Sequence, residues 1–468
     1  MRRSFRVISL LIVLPGVVMC ATSQDDGAPE KPYVPSDPPL VEASDSGGAE
    51  TSSCKGLHCQ VPTCTAGETT TISGTVYAPN GTLPLYNAVV YIPNSPLQPI
   101  PRGVTCDRCG TLVQGDLVAS ALTDTKGHFV LKNVPAGEDI PLVMQIGKWR
   151  RMIKLPKVEA CKDNLADPAD TATDPTYKGS RLTRLPRNQS EGDLPKIAVT
   201  TGSCDPIPCL MPKLGIDPVE YGAGFGPKAI NMYTGFNGSG PMHPPPAAEL
   251  WNNLEMLKKY DVVLHSCECE EANTNKGPTA WANMKAYVDL GGRLFTTDYG
   301  YTFIQKAPAP WSDLATWYTP DGWKPEPDGG AHPINQGFPK GKALAEWLDY
   351  TNGSPSFGNV LLPVIFDNLT TIDPALGTTW VKNIDNDGPK IITFNAPLGA
   401  KPEDQCGRVS FGDTHIFDMS ENYVGTTFPA NCKEAINDRE KVIAFLFYDL
   451  TACVISDEVE QEPPPVVK

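Results

Sequence analysis

The chain has 468 residues, of which 54 are acidic and 39 are basic, so its formal net charge at pH 7 is −15. Binding to nucleic-acid phosphates needs a basic surface, and this charge therefore argues against a nucleic-acid partner. The length allows two or three domains, and the 47 prolines and 41 glycines predict many loops and turns.

The first 20 residues have the pattern of an export signal. Three arginines among the first six residues precede an apolar run over residues 7–18, which is short for a membrane-spanning helix. Cys20 follows, and the arrangement resembles a bacterial lipoprotein signal, although Met19 stands where a small residue is usual. The resemblance implies export and attachment to the cell-envelope membrane through a lipid on Cys20, with simple secretion as the alternative.

Three other segments are predicted to lack a fold of their own. Residues 21–64 are acidic and rich in Pro, Ser and Gly, so they have little apolar surface to offset the entropy lost on ordering. They are predicted to form a disordered tether. Residues 158–194, rich in Asp, Thr and Pro, are predicted to be a linker, and the acidic, Pro-rich residues 455–468 a disordered tail.

The fourteen cysteines agree with export, because disulfides persist in oxidising compartments. Cys106 and Cys109 are predicted to close a small loop with each other; the other pairings do not follow from spacing. The same two cysteines have zinc-like spacing but lack a matching second half, so we predict no metal site. The disulfide candidates are Cys54, Cys59, Cys64, Cys106, Cys109, Cys204, Cys209, Cys267, Cys269, Cys406, Cys432 and Cys453.

Residues 65–157 are predicted to form a β-sandwich. The segment ISGTVYAPNG alternates and then turns at Asn80-Gly81, and NAVVYIP and GHFVLKNVPAG supply further short strands between turns. The pattern resembles the carboxypeptidase regulatory-like domain, a transthyretin-like sandwich. That resemblance implies a non-catalytic module that supports its neighbours or binds surfaces, including carbohydrate. Trp149, Tyr77 and Tyr91 are candidates for stacking on sugars, with core or edge packing as the alternative.

Residues 195–454 are predicted to form an open α/β sheet. The apolar run YDVVLHS, a helix in which Trp281, Met284 and Val288 share one face, and a strand over residues 293–297 make one βαβ unit. Further strands are predicted at residues 196–202, 390–394 and 408–411, and further helices at residues 249–260, 343–350 and 438–450. The predicted fold class is therefore multidomain, a β-sandwich followed by an α/β domain.

Three motifs in this second half, YDVVLHS, MKAYVDLGGRLFTTD and GRVSFGDTHIF, resemble the class I glutamine amidotransferase-like fold and its ThuA-like branch. The layout also resembles exported bacterial proteins that join a regulatory-like sandwich to such a domain. Glutamine-hydrolysing members place a cysteine nucleophile on a sharp, glycine-flanked turn after a strand, with a histidine and an acid. Asp298 stands at that position here, and Cys267 follows the preceding strand without such a turn. We therefore do not expect glutaminase activity.

Polar segments follow four of the predicted strands, at residues 200–203, 265–268, 297–299 and 413–415. Ligands of open α/β sheets bind beyond the carboxyl ends of the strands, so these segments define a candidate site. Its candidate catalytic residues are Asp298, His415, Asp413 and Cys267. The alternatives are a helix cap for Asp298, core packing for His265, and disulfides for Cys267 and Cys269.

Two classes of function stay open at this point. The first is a cell-envelope lipoprotein without a cofactor, with a binding or structural role and the sandwich as a candidate carbohydrate-binding module. The second is an exported hydrolase or sugar-modifying enzyme that uses Asp298, His415 and Asp413. The absent nucleophile turn favours the first class, whereas a cleft in which His415 faces Asp298 would favour the second. The fold by itself does not decide between them.

Overall fold

A computed structural model describes residues 54–65, 67–109, 111–167, 182–238, 242–318, 330–362, 364–415, 432 and 435–466, with the backbone alone at 326–327. The export signal, Cys20 and residues 21–53 of the predicted tether lie outside the described residues. From Cys54 onward the chain forms one compact unit that is rich in β-sheet and contains several sheets. Within the described ranges, no helix is long and apolar enough to cross a membrane.

The first part of the unit contains two sheets that share a core. Its strands are β1 (Thr71–Thr75), β2 (Val89–Pro93), β3 (Leu117–Leu122), β4 (His128–Lys132), β5 (Gly137–Ile146), β6 (Trp149–Val158) and β7 (Asp163–Leu165). They are ordered β4-β1-β7 in one sheet and β3-β2-β5-β6 in the other. Buried Ile72 and Leu131 of the first sheet join Val90 and Met144 of the second in one apolar cluster, which is the arrangement of a sandwich.

The second part is built on an eight-stranded sheet in the order β19-β20-β21-β12-β11-β8-β10-β9. Its six strands from β21 to β9 are parallel, whereas β20 and β19 are antiparallel to their neighbours. The strands are β8 (Ile197–Thr201), β9 (Tyr221–Ala223), β10 (Ile230–Thr234), β11 (Val262–His265), β12 (Arg293–Thr297), β13 (Ala315–Trp317), β14 (Glu326–Pro327), β15 (Ala331–Pro333), β16 (Asn359–Leu361), β17 (Val364–Ile365), β18 (Leu369–Ile372), β19 (Thr378–Lys382), β20 (Pro389–Ala396), β21 (Gly407–Gly412) and β22 (Thr414–His415). The remaining strands form the small sheets β13-β18, β14-β17-β22 and β15-β16.

Helices cover both faces of the large sheet. They are α1 (Leu210–Lys213), α2 (Ala248–Trp251), α3 (Leu254–Leu257), α4 (Pro278–Asp289), α5 (Thr302–Gln305), α6 (Pro339–Tyr350) and α7 (Asp438–Thr451). Successive strand residues point to opposite faces, so Val199 belongs to the apolar cluster that contains α6 and α7, and Ala198 to the cluster that contains α4. Both faces of β8 are buried, which explains why its first three residues, Ile197, Ala198 and Val199, form a continuous apolar run.

The helix predicted over residues 249–260 is wrong in one respect, because two short helices, α2 and α3, occupy this segment. The break falls at Asn252-Asn253. Asn253 has an extended backbone, and its side chain accepts a hydrogen bond from the backbone N–H of Met256, which caps α3. Asparagine favours such a cap over a helix interior, because its side chain competes for backbone hydrogen bonds.

The sandwich and the large sheet are packed against each other through buried contacts. The indole of Trp347 in α6 donates a hydrogen bond to the carbonyl of Pro84 at 2.9 Å. The ammonium of Lys148, between β5 and β6, lies 2.6 Å from the carboxylate of buried Asp261. One apolar cluster runs from the sandwich into α6 and α7. These contacts join the two parts into a single core.

The described ends of the predicted linker and the described part of the predicted tail make specific contacts. In the segment 158–194, β7 pairs with β1 in parallel, and Arg184 binds Glu191 at 2.6 Å. In the segment 455–468, Asp457 is buried against Arg408 at 2.6 Å. This burial corrects the prediction of disorder around Asp457, because the acidic composition that favours disorder does not show that a buried arginine neutralises one of the carboxylates.

Twelve of the thirteen described cysteines form disulfides. The pairs are Cys54–Cys59, Cys64–Cys161, Cys106–Cys406, Cys109–Cys453, Cys204–Cys269 and Cys209–Cys432. The predicted bond between Cys106 and Cys109 is wrong, because each of these residues reaches a different partner in the second part of the chain. A disulfide at Cys267 is also wrong, since its thiol is free and buried. Six disulfides are typical of an exported or extracellular protein.

Candidate functional site

The carboxyl ends of the central parallel strands bring the predicted site residues together. Cys267 follows β11, Asp298 follows β12, and Asp413 and His415 follow β21. The short strand β22 pairs with β17, which places His415 opposite Val364. Three of the predicted residues, Cys267, Asp298 and His415, are thereby in direct contact.

Asp298 lies at the turn between β12 and a short 3-10 helix over residues 298–301. Its φ is +41°, in the left-handed region that residues other than glycine adopt at a cost. Two residues later Gly300 lies so close to Thr296 and His265 that a Cβ atom there would collide with both side chains. A tight strand-to-helix turn with a strained residue at its tip is the geometry of a nucleophile elbow, although a carboxylate takes the place of a thiol or hydroxyl.

The carboxylate of Asp298 is fully buried, and both of its oxygens accept hydrogen bonds. The thiol of Cys267 donates to Oδ2 at 3.0 Å, and Nε2 of His415 donates to the same oxygen at 3.0 Å. The amide of Asn368 donates to Oδ1 at 2.8 Å. A buried carboxylate needs such partners, because its charge has lost its contact with water.

The surroundings change the pKa values of two of these partners in the same direction. Burial, together with the neighbouring carboxylate of Asp298, raises the pKa of the Cys267 thiol well above its usual value. Burial by itself would lower the pKa of His415, but the hydrogen bond with Asp298 and nearby carboxylates raise it. The thiol is therefore protonated at neutral pH, which argues against Cys267 as a nucleophile.

Asp413 is linked to Asp298 through Asn368, a residue that the sequence analysis did not identify. The Nδ2 group of Asn368 also donates to Asp413 at 2.9 Å, and the backbone N–H of Leu369 donates to Asp413 at 2.9 Å. The ammonium of Lys390 lies 3.9 Å away. Burial raises the pKa of Asp413 to about 7, even though Lys390 and these hydrogen bonds oppose the shift. Asn368 lies in a loop between β17 and β18, where no sequence pattern indicated a functional role.

Next to this cluster lies the disulfide Cys204–Cys269. The ligand atoms of Cys204, Cys267 and His415 lie within 4.8 Å of one another. The backbone N–H of Cys269 donates to the sulfur of Cys267 at 3.4 Å. The cluster thus contains one free thiol beside a disulfide and an imidazole.

His265, predicted to be a core residue, lies in a separate buried network. Its Nδ1 is 2.9 Å from the hydroxyl of Thr296, and its Nε2 is 3.6 Å from Glu268. Glu268 also binds the ammonium of Lys276, and both side chains are completely buried. Burial by itself would raise the pKa of Glu268, but His265 and Lys276 lower it to about 2.

Glu268 is expected to make the folded state sensitive to acid. Its folded pKa of about 2 lies below the unfolded value of about 4.3, so the unfolded chain binds more protons between these values. The contribution of Glu268 to the free energy of unfolding, on the order of 3 kcal/mol, is complete above pH 4.3 and is lost as the pH falls towards 2. In denaturant titrations from pH 6 to pH 2, Glu268→Gln should be less stable at pH 6 and should lose less further stability than wild type. Glu255→Gln, at an exposed helix position, is the control, and equal pH slopes for wild type and Glu268→Gln would contradict this expectation.

Two of the three aromatic residues considered for sugar stacking lie in the core. Trp149 and Tyr91 are buried, and Tyr77 is half-buried. Trp149 packs edge-on against Phe447 of α7, with ring centroids 6.2 Å apart. Trp149 and Tyr91 therefore have core roles, and Tyr77 stays a prediction.

Comparison with known proteins does not identify a family. No family model matches the chain, and no curated protein matches it. Among solved structures, two chains of type II cohesin–X-dockerin complexes from Acetivibrio cellulolyticus are similar at 22% and 19% identity, with TM-scores of 0.13 and 0.17. The matches cover 20% and 32% of this chain and 51% and 85% of those chains.

A third similar structure is a 9R-lipoxygenase from Cyanothece. It is 13% identical, the match covers 24% of this chain and 18% of the lipoxygenase, and the TM-score is 0.14. This chain thus spans about half of the first cohesin–dockerin chain and less of the lipoxygenase. Similarity at these TM-scores does not establish a shared fold.

Proposed function

We propose that the protein is an exported cell-envelope lipoprotein, anchored through Cys20, whose folded part has a binding or structural role. In this proposal the first part is a transthyretin-like sandwich and the second an amidotransferase-like α/β domain that carries out no glutaminase reaction. The burial of Asp298 with both carboxylate oxygens hydrogen-bonded is the observation that carries the proposal. An acceptor whose two oxygens are already hydrogen-bonded to Cys267, His415 and Asn368 stabilises the fold rather than awaiting a substrate.

The sign of a stability change tests this role of Asp298. Removal of a strained catalytic residue commonly stabilises an enzyme, whereas loss of a buried structural carboxylate destabilises the protein. We expect Asp298→Asn to lower the free energy of unfolding by about 2–4 kcal/mol in guanidinium titrations. Asp385→Asn, at a position outside the cluster, is the control. An Asp298→Asn variant more stable than wild type would refute the structural role.

The lipid anchor is tested separately from the cluster. Cells that express the full chain are labelled with an alkyne fatty acid, and the membrane and soluble fractions are compared. Cys20→Ser should lose the label and move to the soluble fraction, because a protein without its acyl chains has no membrane-inserted group. If the wild-type protein is unlabelled and lies in the soluble fraction, the lipid anchor is refuted and the protein is secreted without one.

The thiol of Cys267 offers a direct check of the closed cluster. Because it is buried and its pKa is raised, Cys267 should not react with iodoacetamide in the native protein at pH 7.5 and should react after denaturation without reductant. Peptide mapping should then find the label on Cys267 and the described disulfides intact. Rapid labelling of the native protein would contradict the buried, protonated thiol.

A second candidate function, a retaining glycoside hydrolase, is favoured by the two linked carboxylates. One amide nitrogen of Asn368 bonds both Asp298 and Asp413, which keeps these carboxylates within about 6 Å, near the separation of about 5–5.5 Å in retaining enzymes. Asp298 would attack the anomeric carbon and form a glycosyl ester. Asp413, with its raised pKa, would protonate the departing oxygen and then deprotonate the attacking water.

Hydrolysis of nitrophenyl glycosides separates this candidate from the structural role. Turnover by the wild-type protein that is lost in Asp298→Asn and in Asp413→Asn, while both variants stay folded, would support the hydrolase. Mass spectrometry of the denatured reaction mixture should then find a glycosyl adduct on the peptide that contains Asp298. Absence of turnover over a panel of hexosides and pentosides would exclude this candidate for those substrates and leave the structural role.

A further inference from the structure

We propose that Cys267, Asp298 and His415 form a binding site for a divalent cation of the zinc class. The three side chains offer a sulfur, a carboxylate oxygen and an imidazole nitrogen, which are the three ligand types that zinc takes from proteins. They come from three separate segments and meet at the carboxyl edge of the large sheet. This inference does not depend on the role proposed above for the protein as a whole.

The distances in the cluster are close to those that a tetrahedral ion requires. Oδ2 of Asp298 lies 3.0 Å from the sulfur of Cys267 and 3.0 Å from Nε2 of His415. With zinc bonds of about 2.3 Å to sulfur and about 2.1 Å to nitrogen and oxygen, neighbouring ligand atoms lie about 3.3–3.6 Å apart. Each of these two pairs therefore needs to move apart by only a few tenths of an ångström to admit an ion, and a ring nitrogen of His415 lies within 4.8 Å of the sulfur of Cys267.

An ion at this point would replace the two protons that now hold Asp298 to Cys267 and His415. With Cys267 as a thiolate and Asp298 as a carboxylate, the two negative charges would balance a divalent cation inside the protein. A mixed sulfur, nitrogen and oxygen set favours zinc over the hard cations calcium and magnesium, which take oxygen ligands. Three protein ligands leave one position of a tetrahedron for water.

Hydrogen bonds from neighbouring residues hold Asp298 and Cys267 in place, whereas His415 is held by the packing of an aromatic ring and its Nδ1 has no hydrogen-bond partner among the described residues. Asn368 donates to Oδ1 of Asp298 at 2.8 Å and so leaves Oδ2 directed to the other two ligands. The backbone N–H of Cys269 donates to the sulfur of Cys267 at 3.4 Å, as a metal-bound thiolate needs. The ring of Phe366 packs on His415 with centroids 4.7 Å apart. Hydrogen bonds of this kind behind metal ligands are general in metalloproteins.

Cys204 is not assigned as a ligand, although its sulfur lies near the cluster. Its sulfur is bonded to Cys269, and a disulfide sulfur is a poor ligand for zinc compared with a thiolate. The free thiol of Cys267 is the one sulfur in the cluster that can ionise without reduction. The proposed site therefore needs no reductant and suits an oxidising compartment.

Cobalt(II) provides the test, because a thiolate bound to it gives a charge-transfer absorption band. The mature protein is purified without reductant, treated with EDTA, desalted and titrated with Co²⁺, and then with Zn²⁺ as competitor. We expect one equivalent of Co²⁺, the thiolate band, and loss of that band when Zn²⁺ is added. A thiol assay in denaturant should find one free thiol apart from Cys20, which shows that the disulfides stayed intact. Absence of the band in folded wild-type protein would overturn the proposal.

Variants then assign the ligands. Cys267→Ser keeps the shape of the side chain and should abolish the band and weaken Zn²⁺ binding by at least about 100-fold. Asn368→Ala should weaken binding by about 10–100-fold, because Asn368 orients Asp298 without contacting the ion. His332→Gln, which replaces a buried histidine beside Ile384, is the matched control and should bind as wild type.

Two outcomes would place the ion elsewhere and overturn the assignment. The first is unchanged Zn²⁺ affinity in folded Cys267→Ser. The second is binding that appears only after a dithiol has reduced Cys204–Cys269, because Cys204 would then supply the sulfur. An ion bound as proposed would also occupy Asp298 and so exclude it as the nucleophile of a glycoside hydrolase.

Discussion

Removal of both Cys106–Cys406 and Cys109–Cys453, which join the sandwich to the second part of the chain, is expected to lower the free energy of unfolding by about 10 kcal/mol. Cys106–Cys406 and Cys109–Cys453 close loops of 300 and 344 residues. In the chain-entropy description, such long loops greatly restrict the unfolded chain. A loss of this size is comparable to the whole stability of a typical domain. The variant with four Cys→Ser changes should therefore fail to accumulate as folded protein.

Removal of either bond alone should cost about 4 kcal/mol, less than half of the loss for both. The reason is that the two bonds are neighbours at both ends, so with one intact the other closes a loop of only about 50 residues. Guanidinium titrations without reductant measure the two single losses, and the yield of folded protein reports the loss for both bonds. The bond Cys54–Cys59 closes a five-residue separation, and its removal as a control should cost about 2 kcal/mol. A paired removal that costs no more than either single removal would contradict the expectation.

Arg408→Met is expected to lower the free energy of unfolding by about 3–5 kcal/mol. The guanidinium of Arg408 is buried and lies 2.7 Å from Asp449 of α7 and 2.6 Å from Asp457 of the C-terminal segment. Burial by itself would raise the pKa of Asp457, but Arg408 and Lys340 hold that pKa below its usual range. Without Arg408, two buried carboxylates would share the single ammonium of Lys340. Uncompensated buried charge is the physical cause of the expected loss.

Two further variants show whether the loss comes from charge. Arg408→Lys keeps the charge but cannot bond two carboxylates with a planar fork, so its loss should be smaller than that of Arg408→Met. Asp457→Asn, added to Arg408→Met, should recover part of the stability, because one of the unpaired charges is then removed. Denaturant titrations at pH 7 measure all three. A loss under 1 kcal/mol for Arg408→Met would mean that the C-terminal segment is held by other contacts.

The local elements followed from patterns that the chain carries in short stretches. The strand predicted at residues 293–297 is β12, the apolar run YDVVLHS contains β11, and the helix between them is α4. Each depends on the spacing of apolar residues and on nearby helix-ending or turn residues, which act over a few positions. The break between α2 and α3 was not predicted, because the helical spacing of Leu250, Leu254 and Leu257 continues in phase across the two asparagines.

The candidate site could be predicted in part from the same reasoning. Parallel strands end at one edge, so Cys267, Asp298, Asp413 and His415 were placed together before their contacts were known. Asn368 was not predicted as part of the site. It lies in a loop more than 40 residues before Asp413, and it reaches the carboxylates of Asp298 and Asp413 only because of the path that this loop takes in the fold. The left-handed backbone of Asp298 was not predicted either, because no residue pattern in the sequence indicates a positive φ at an aspartate.

The sequence by itself determined the features that depend on composition and short-range spacing: an acidic chain, a cysteine content typical of export, short strands followed by alternating strands and helices, and a polar edge after the parallel strands. Only the tertiary structure decided the pairing of Cys106 and Cys109 with residues 300 or more positions away, the free thiol of Cys267, and the burial of Asp457 in a segment predicted to be disordered. The physical reason is common to all three. Each depends on contacts between segments far apart in the chain, and such contacts form only when the whole core brings those segments together.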